Sequence, residues 1–304
     1  MAGNWLIDSH QHVFWHGRDD KGLVADMDEQ GISKAWLLTW DEPISEMGGN
    51  FLETLDPRQR VPGNVTTALP FYSVADTCRL YPDRFVAGYC PPPTDPLAIK
   101  KLASAIDIFD VKVCGEWKFT MLIDDPRCIE LFRFAGSRGL PVIFHLDVPY
   151  LPPNGGRYVG DWRWKGGTFA NLERALIACP DTIFLGHAPG FWRELHGDAD
   201  NYAENYLKPP LAPGGRLPGL FEKYPNLYGD LSAGSARRAL SADPAQARRF
   251  LCAFPDRFTF ARDYYGGELL EFLRTLDLPA DVWQKIGREN AERLISNVRK
   301  GEHA

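Results

Sequence analysis

Residues 124–145, with the sequence DDPRCIELFRFAGSRGLPVIFH, contain one complete helix and one complete strand of the predicted fold. Pro126 directly follows an aspartate, which is typical of the first turn of a helix. The segment 126–137 then has the apolar spacing of an amphipathic helix. Residues 141–145 are almost entirely apolar, which predicts a strand of a parallel sheet covered on both faces. This strand ends at a histidine, His145.

The same alternation of short apolar strands and amphipathic helices continues in both directions along the chain. Further strands are predicted at 5–9, 34–39, 84–89, 108–114, 182–186, 226–230 and 257–261. Further helices are predicted at 22–30, 71–81, 96–105, 168–178, 219–224, 244–253 and 267–276, followed by a last helix at 280–298. Eight strand–helix pairs in 304 residues predict a single (β/α)8 TIM-barrel domain over 1–304, with a C-terminal helix.

A doubly wound open sheet is the alternative fold. It usually has fewer strand–helix pairs and a glycine-rich first turn, and no GxGxxG motif follows the first predicted strand. Long loops are predicted at 40–70, 146–167 and 188–218, after strands two, five and six, where barrel enzymes build their active sites. The loop 146–167 contains four aromatic residues, among them Trp162, and is interpreted as a lid, with a packing flap or an oligomer contact as the alternative.

The composition excludes several classes of protein. With 44% hydrophobic and 24% charged residues, the chain is not globally disordered, and a net charge of −6 argues against nucleic-acid binding. No run of about 18 apolar residues is present, so no membrane span is predicted. The six cysteines are far apart and are predicted to be free thiols. The start of the sequence does not resemble a signal peptide, so we expect a cytoplasmic protein with a small-molecule partner.

Polar groups end four of the predicted strands. His10 and His12 stand two residues apart at the end of the first strand, where both side chains can point to the same side. His145 ends the fifth strand, His187 ends the sixth, and Asp263 follows the eighth. Imidazole nitrogens together with a carboxylate suit zinc, with manganese or iron as alternatives. We therefore predict a divalent metal site at the carboxyl ends of the strands.

These motifs resemble the amidohydrolase superfamily, in particular its amidohydrolase-2 branch of lactonases, hydratases and nonoxidative decarboxylases. The matching stretches are IDSHQH at 7–12, VIFH at 142–145, LGH at 185–187, ARDY at 261–264 and IGRENAERL at 286–294. The resemblance implies that the metal ligands are His10, His12, His145 and Asp263. It also implies that Asp263 moves protons, and that His187 binds a second metal or contacts the reacting group.

The resemblance leaves the number of ions open. Binuclear members carry a carboxylated lysine or a glutamate near strand four, which makes Lys112 a candidate bridge, whereas Glu116 lies beyond the predicted strand end. Because members of this branch often carry the lysine without a second metal, one ion is predicted. Arg262, Trp117 and Trp162 are predicted to contact the substrate, with a structural ion pair as the alternative for Arg262.

The predicted activity is metal-dependent hydrolysis of a small lactone, ester or amide by an activated water. Asp263 would accept the proton of that water, and His187 would hold the carbonyl oxygen. The alternative is nonoxidative decarboxylation of a hydroxylated aromatic or unsaturated carboxylic acid. His187 is followed by Ala-Pro-Gly instead of a glycine-rich stretch, which favours hydrolysis. A second alternative is a silent barrel that acts as a binding protein, although none of the five predicted ligand positions has been lost.

Overall fold

Eight parallel strands form the centre of the molecule in a computed structural model that describes residues 5–43, 67–148, 165–199 and 206–300. Ten strands are present in these ranges: β1 (Leu6–Gln11), β2 (Ile32–Leu37), β3 (Trp40–Pro43), β4 (Thr67–Leu69), β5 (Phe85–Ala87), β6 (Cys114–Trp117), β7 (Val142–His145), β8 (Phe184–His187), β9 (Leu227–Asp230) and β10 (Phe258–Thr259). β3 and β4 pair only with each other, antiparallel, and lie within the predicted loop 40–70.

The other eight strands follow one another around a ring. Their neighbours run β1-β2-β5 in one sheet and β6-β7-β8-β9-β10 in the other, all parallel. A parallel bridge between Gly88 and Val113 joins β5 to β6. The N–H of Ser9 donates to the carbonyl of Phe260 over 2.9 Å, which joins β10 to β1. The predicted TIM barrel is therefore confirmed, and the open sheet is wrong.

Helices connect the strands on the outside of the barrel. They are α1 (Asp20–Gln30), α2 (Phe71–Leu80), α3 (Ala98–Phe109), α4 (Pro126–Ser137), α5 (Phe169–Ala178), α6 (Pro189–Trp192), α7 (Arg216–Lys223), α8 (Ala233–Ala242), α9 (Pro244–Ala253), α10 (Glu268–Thr275), α11 (Ala280–Gln284) and α12 (Asn290–Ser296), the last two joined by a π-helical turn over Lys285–Glu289. The carboxylates of Asp125 and Asp243 cap α4 and α9, as the Asp-Pro pairs predicted. The sequence did not predict α8, whose alanine, serine and arginine residues form only a narrow apolar stripe. No helix in these described ranges is long and apolar enough to span a membrane.

An apolar layer fills the inside of the barrel below a polar layer. Ile143 and Leu185 belong to this inner cluster, which Ala291 and Leu294 of the closing helix complete. Because side chains alternate along a strand, the next inward positions are two residues further on, at His145 and His187. The apolar layer thus supports the functional side chains from below.

Two strands depart from this alternation through a β-bulge. Along β1, Gln11 is three positions after Asp8, whereas their partners on β2, Ala35 and Leu37, are only two positions apart. The same irregularity occurs in β6 between Cys114 and Trp117. The extra residue shifts the inward face by one position. His10 therefore points inward three residues after Ile7, and Glu116 does so three residues after Val113.

Candidate metal centre

Five side chains meet at the carboxyl ends of β1, β6, β8 and β10. His10, His12, Glu116 and His187 are buried, and 14% of the Asp263 side chain is exposed. The Nε2 atom of His12 lies 3.4 Å from Glu116 Oε2 and 3.3 Å from Asp263 Oδ1. The Nε2 atom of His10 lies 3.8 Å and 3.6 Å from the same two oxygens. Ligand bonds of about 2.0–2.2 Å place adjacent ligand atoms about 2.8–3.6 Å apart, close to these separations.

Three of these atoms are buried without a hydrogen bond to any described part of the chain. They are His10 Nε2, Glu116 Oε2 and Asp263 Oδ1. A buried polar atom without a partner is unfavourable and is rare in folded proteins. Here all three are nitrogen or carboxylate oxygen atoms that face one another, so one divalent cation would satisfy them together.

Hydrogen bonds to the other ring nitrogens orient the two histidines of β1. His12 Nδ1 lies 2.9 Å from the carbonyl oxygen of Leu38, which can only accept, so this nitrogen carries the proton. His10 Nδ1 lies 2.6 Å from Asp230 Oδ2 in the same way. In the neutral rings the lone pair is then on Nε2, the atom that faces the carboxylates, as in metal-binding histidines.

His187 approaches the same space from β8. Its Nε2 atom lies 3.5 Å from Asp263 Oδ2 and 3.8 Å from Glu116 Oε1. The ligand atoms within 4.8 Å of one another form two overlapping groups, His10–His12–Asp263 and His10–Glu116–His187. Because the groups share His10, the geometry accommodates one ion without requiring a second, and a single ion stays a prediction.

His145 takes a different position from the one predicted for a ligand. Its Nδ1 atom lies 2.9 Å from Glu116 Oε1, and its Nε2 atom lies 2.8 Å from Asp147 Oδ1. Both ring nitrogens therefore face carboxylates, and His145 belongs to neither group of ligand atoms within the described chain. It contacts the centre through Glu116, and its role as a direct ligand stays a prediction.

The charges of the centre favour a cation. Burial by itself lowers the pKa of His10, but the carboxylates of Asp230, Asp263 and Glu116 raise it to about 9. Burial raises the pKa of Glu116 and of Asp263, yet both pKa values lie well below the usual range. Lys118 and the surrounding histidines lower the pKa of Glu116, and the histidines alone lower that of Asp263. The two carboxylates are therefore ionised at neutral pH, the form that binds metal ions.

A cavity of about 460 Å³ opens above these side chains. One wall is aromatic: the rings of Trp15 and His16 are 4.4 Å apart, and those of His16 and Tyr264 are 4.8 Å apart. Lys118 forms part of another wall, with its ammonium 3.6 Å from Glu116 Oε2. The size, the aromatic surface and the ammonium group suit a small planar anion.

Two residues predicted to act at the site lie elsewhere, and a third is not described. Lys112 precedes β6, at the opposite end of the barrel, and its ammonium lies 3.0 Å from Asp110. Trp117 is fully buried in the core outside the barrel, where it packs against Phe132. Both predictions were wrong because the fourth strand begins at Cys114 and contains a bulge, which turns Glu116 inward. Trp162 lies outside the described residues.

Arg262 forms a buried ion pair instead of being available to the substrate. Although it borders the cavity, its Nε donates to Asp8 Oδ2 over 2.7 Å, and its Nη1 lies 2.7 Å from Asp26 Oδ2. Only 4% of the residue is exposed. The structural alternative therefore describes Arg262 better than the substrate contact.

Replacing Arg262 with methionine is expected to lower the free energy of unfolding by about 3–5 kcal/mol, because the buried Asp8 loses its counter-charge and the buried Asp26 keeps only its pair with Arg18. Urea denaturation measures this loss. Arg79 is the control, since its pair with Asp76 is exposed and Arg79→Ala should cost less than about 1 kcal/mol. A stable Arg262→Met protein with weakened substrate binding would contradict the structural role.

Comparisons with known proteins place the fold among solved barrels. No protein-family model matches the sequence, and no curated protein sequence is significantly similar. An uncharacterized TIM-barrel protein from Bordetella bronchiseptica is 20% identical, with a TM-score of 0.58 over 91% of this chain and 82% of that chain. A dihydroxybenzoic acid decarboxylase from Polaromonas, with bound manganese and 2-nitroresorcinol, is 17% identical (TM-score 0.61; 96% and 97%). A candidate 2-pyrone-4,6-dicarboxylic acid hydrolase from Pseudomonas putida is 15% identical (0.59; 96% and 97%).

Proposed function

We propose that this chain is a metal-dependent enzyme of the amidohydrolase-2 type, and that it decarboxylates a small hydroxylated aromatic acid without oxidation. The observation that carries the proposal is the set of buried, unpartnered ligand atoms at His10, Glu116 and Asp263 beneath the cavity. Similar structures support this choice of reaction, because several of them are decarboxylases of dihydroxybenzoate or carboxyvanillate, although a candidate 2-pyrone-4,6-dicarboxylic acid hydrolase is also similar. The preference for hydrolysis drawn from the sequence is thus reversed.

The residues that would hold the ion are His10, His12, Glu116 and Asp263. When bound, a divalent cation would supply Lewis-acid chemistry by drawing charge from a carboxylate and an adjacent hydroxyl. Two imidazoles and two carboxylates suit manganese as well as zinc, and the similar decarboxylase from Polaromonas contains manganese. We therefore propose manganese, with zinc as the alternative.

Asp263 would carry the proton of the reaction. Because its carboxylate is ionised, it can accept the proton of the substrate hydroxyl and deliver it to the ring carbon that bears the carboxylate. The bond between this ring carbon and the carboxylate carbon then breaks, and its electron pair returns to the ring as CO2 leaves. The phenolate regains a proton from water. His187, 3.5 Å from Asp263 Oδ2, keeps that carboxylate oriented, and Lys118 attracts the anionic substrate.

Hydrolysis is the second candidate, and the same ionised Asp263 favours it. Because its pKa lies well below the usual range, this carboxylate is ionised and therefore has a free oxygen lone pair to accept a proton from an attacking water. His187 would then donate to the carbonyl oxygen and stabilise its developing charge. The similar structure from Pseudomonas putida, a candidate hydrolase, agrees with this chemistry.

A screen of the purified protein with added Mn²⁺ or Zn²⁺ separates the two reactions. We expect CO2 release from benzoates that carry a hydroxyl next to the carboxylate, no release from benzoate itself, and loss of activity with a chelator. Sugar lactones and acyl amides are tested in parallel. Hydrolysis without CO2 release would replace the first proposal with the second, and inactivity in every assay would favour the silent binding protein.

A further inference from the structure

The end of β9 contacts two histidines of the centre without supplying a ligand atom of its own. Among the described residues, neither group of ligand atoms includes a residue of β9. Asp230, the last residue of the strand, places Oδ2 2.6 Å from His10 Nδ1. Ser232, two residues later, places Oγ 2.7 Å from His187 Nδ1 and 3.5 Å from His10 Nδ1. All four side chains are buried, so each contact takes place without competing water.

These two contacts belong to one rigid turn. The backbone N–H of Ser232 donates to Asp230 Oδ1 over 2.8 Å, so each oxygen of this carboxylate accepts one hydrogen bond. The next residue, Ala233, donates its N–H to the carbonyl of Arg262 over 2.8 Å. The turn is thereby tied to the residue directly before Asp263, and it links the ends of β1, β8 and β10.

We propose that Asp230 and Ser232 are positioning residues, and that they fix the ring orientations of His10 and His187 respectively. This inference rests on the proposed metal centre. The ring orientations matter for metal binding because the Nε2 atoms of both histidines face the ion site. Asp230 holds the proton of His10 on Nδ1, which leaves Nε2 for the ion. Ser232 holds the ring of His187 so that its Nε2 faces Asp263 and Glu116.

Asp230→Asn tests the first contact without changing the shape of the side chain. An asparagine has one acceptor oxygen, whereas Asp230 accepts from both His10 and the N–H of Ser232. One of the two donors must then face an amide N–H group. We expect Mn²⁺ binding, measured from the electron paramagnetic resonance signal of the free ion, to weaken by about 10–100-fold.

Nuclear magnetic resonance of the histidine rings tests the positioning directly, in the metal-free protein. We expect a strongly downfield Nδ1 proton of His10 in the unchanged protein, and its loss or upfield shift in Asp230→Asn. Ser232→Ala should move the ring signals of His187 most and those of His10 less, because the hydroxyl lies 2.7 Å from His187 Nδ1 and 3.5 Å from His10 Nδ1. Ser232→Thr should restore both because it keeps the hydroxyl. This residue-by-residue pattern would not follow from a general loss of stability.

Asn226→Ala, directly before the same strand, is the matched control. The Asn226 side chain donates to three backbone carbonyls at the far end of β9, so its loss should lower stability and leave Mn²⁺ affinity unchanged. Unshifted ring signals in Asp230→Asn and Ser232→Ala would overturn the positioning roles. If the unchanged protein binds neither Mn²⁺ nor Zn²⁺, the proposed function fails, and the ring signals still decide the two contacts.

Discussion

Asp263→Asn is expected to lower kcat by about 10²–10⁴-fold, whether the enzyme decarboxylates or hydrolyses its substrate. In both reactions Asp263 must accept a proton and deliver it, and an amide cannot. The fold should be kept. The backbone of Asp263 has a φ of 53°, a region that asparagine adopts readily, and its N–H still donates to the carbonyl of His10.

The measurement must separate proton transfer from loss of the ion, because Asp263 is also a proposed ligand. The metal content of each preparation is therefore determined beside kcat, at saturating Mn²⁺. Asp256→Asn is the control, since this exposed carboxylate pairs only with Lys285 on the surface among the contacts described here. A loaded Asp263→Asn protein with an unchanged kcat would show that another group moves the proton.

The barrel could be predicted because its signals are local. Central strands such as β7 and β8 are largely apolar on both faces, because helices cover one side and the inner cluster fills the other. A short apolar run therefore indicates such a strand without knowledge of its neighbours in the sheet. The Asp-Pro pairs at the starts of α4 and α9 indicate helix starts, because the aspartate side chain accepts a hydrogen bond from a backbone N–H in the first turn. Histidines that end such runs could also be placed from the sequence, because the carboxyl ends of parallel strands meet at one end of the barrel.

The inward face of β6 could not be predicted, because it depends on pairing with another strand. A simple alternation from Val113 places Gly115 and Trp117 inside the barrel. The bulge that arises against β7 places Glu116 there and sends Trp117 to the outer core. Nothing local to this stretch indicates where the register shifts, so Glu116 was missed and Lys112 was chosen in its place.

Asp230 and Ser232 were also missed, although one signal was present. The predicted strand 226–230 ends at Asp230, in the same position relative to its strand as His145 and His187. A polar residue that ends an apolar barrel strand therefore pointed to the site here too. What the sequence could not supply was the role, since only the contact with His10 Nδ1 distinguishes an orienting carboxylate from a ligand.

Metal affinity should respond very differently to substitution of His12, Glu116 and His145. His12→Ala removes a nitrogen that faces both carboxylates, and Glu116→Gln removes a buried charge with an unpartnered oxygen. Each is expected to weaken Mn²⁺ binding by more than about 100-fold, since changes to residues behind the ligands already cost about 10–100-fold. His145 contacts Glu116 and the ring of His187 but belongs to neither group of ligand atoms in the described chain, so His145→Ala should cost about 10-fold.

Titration with Mn²⁺, followed by the signal of the free ion, ranks the three variants on one scale. His196→Ala is the control for loss of a buried histidine, because its Nε2 bonds the carbonyl of Ala239 and belongs to neither ligand group in the described chain. The ranking decides between two ligand sets. If His145→Ala loses the ion while Glu116→Gln binds it normally, the ion is held by the set that the resemblance implied. The contact between His145 Nδ1 and Glu116 would then have to open when the ion binds. If Glu116→Gln loses it and His145→Ala does not, the bulge in β6 has supplied a ligand that the sequence alone does not reveal.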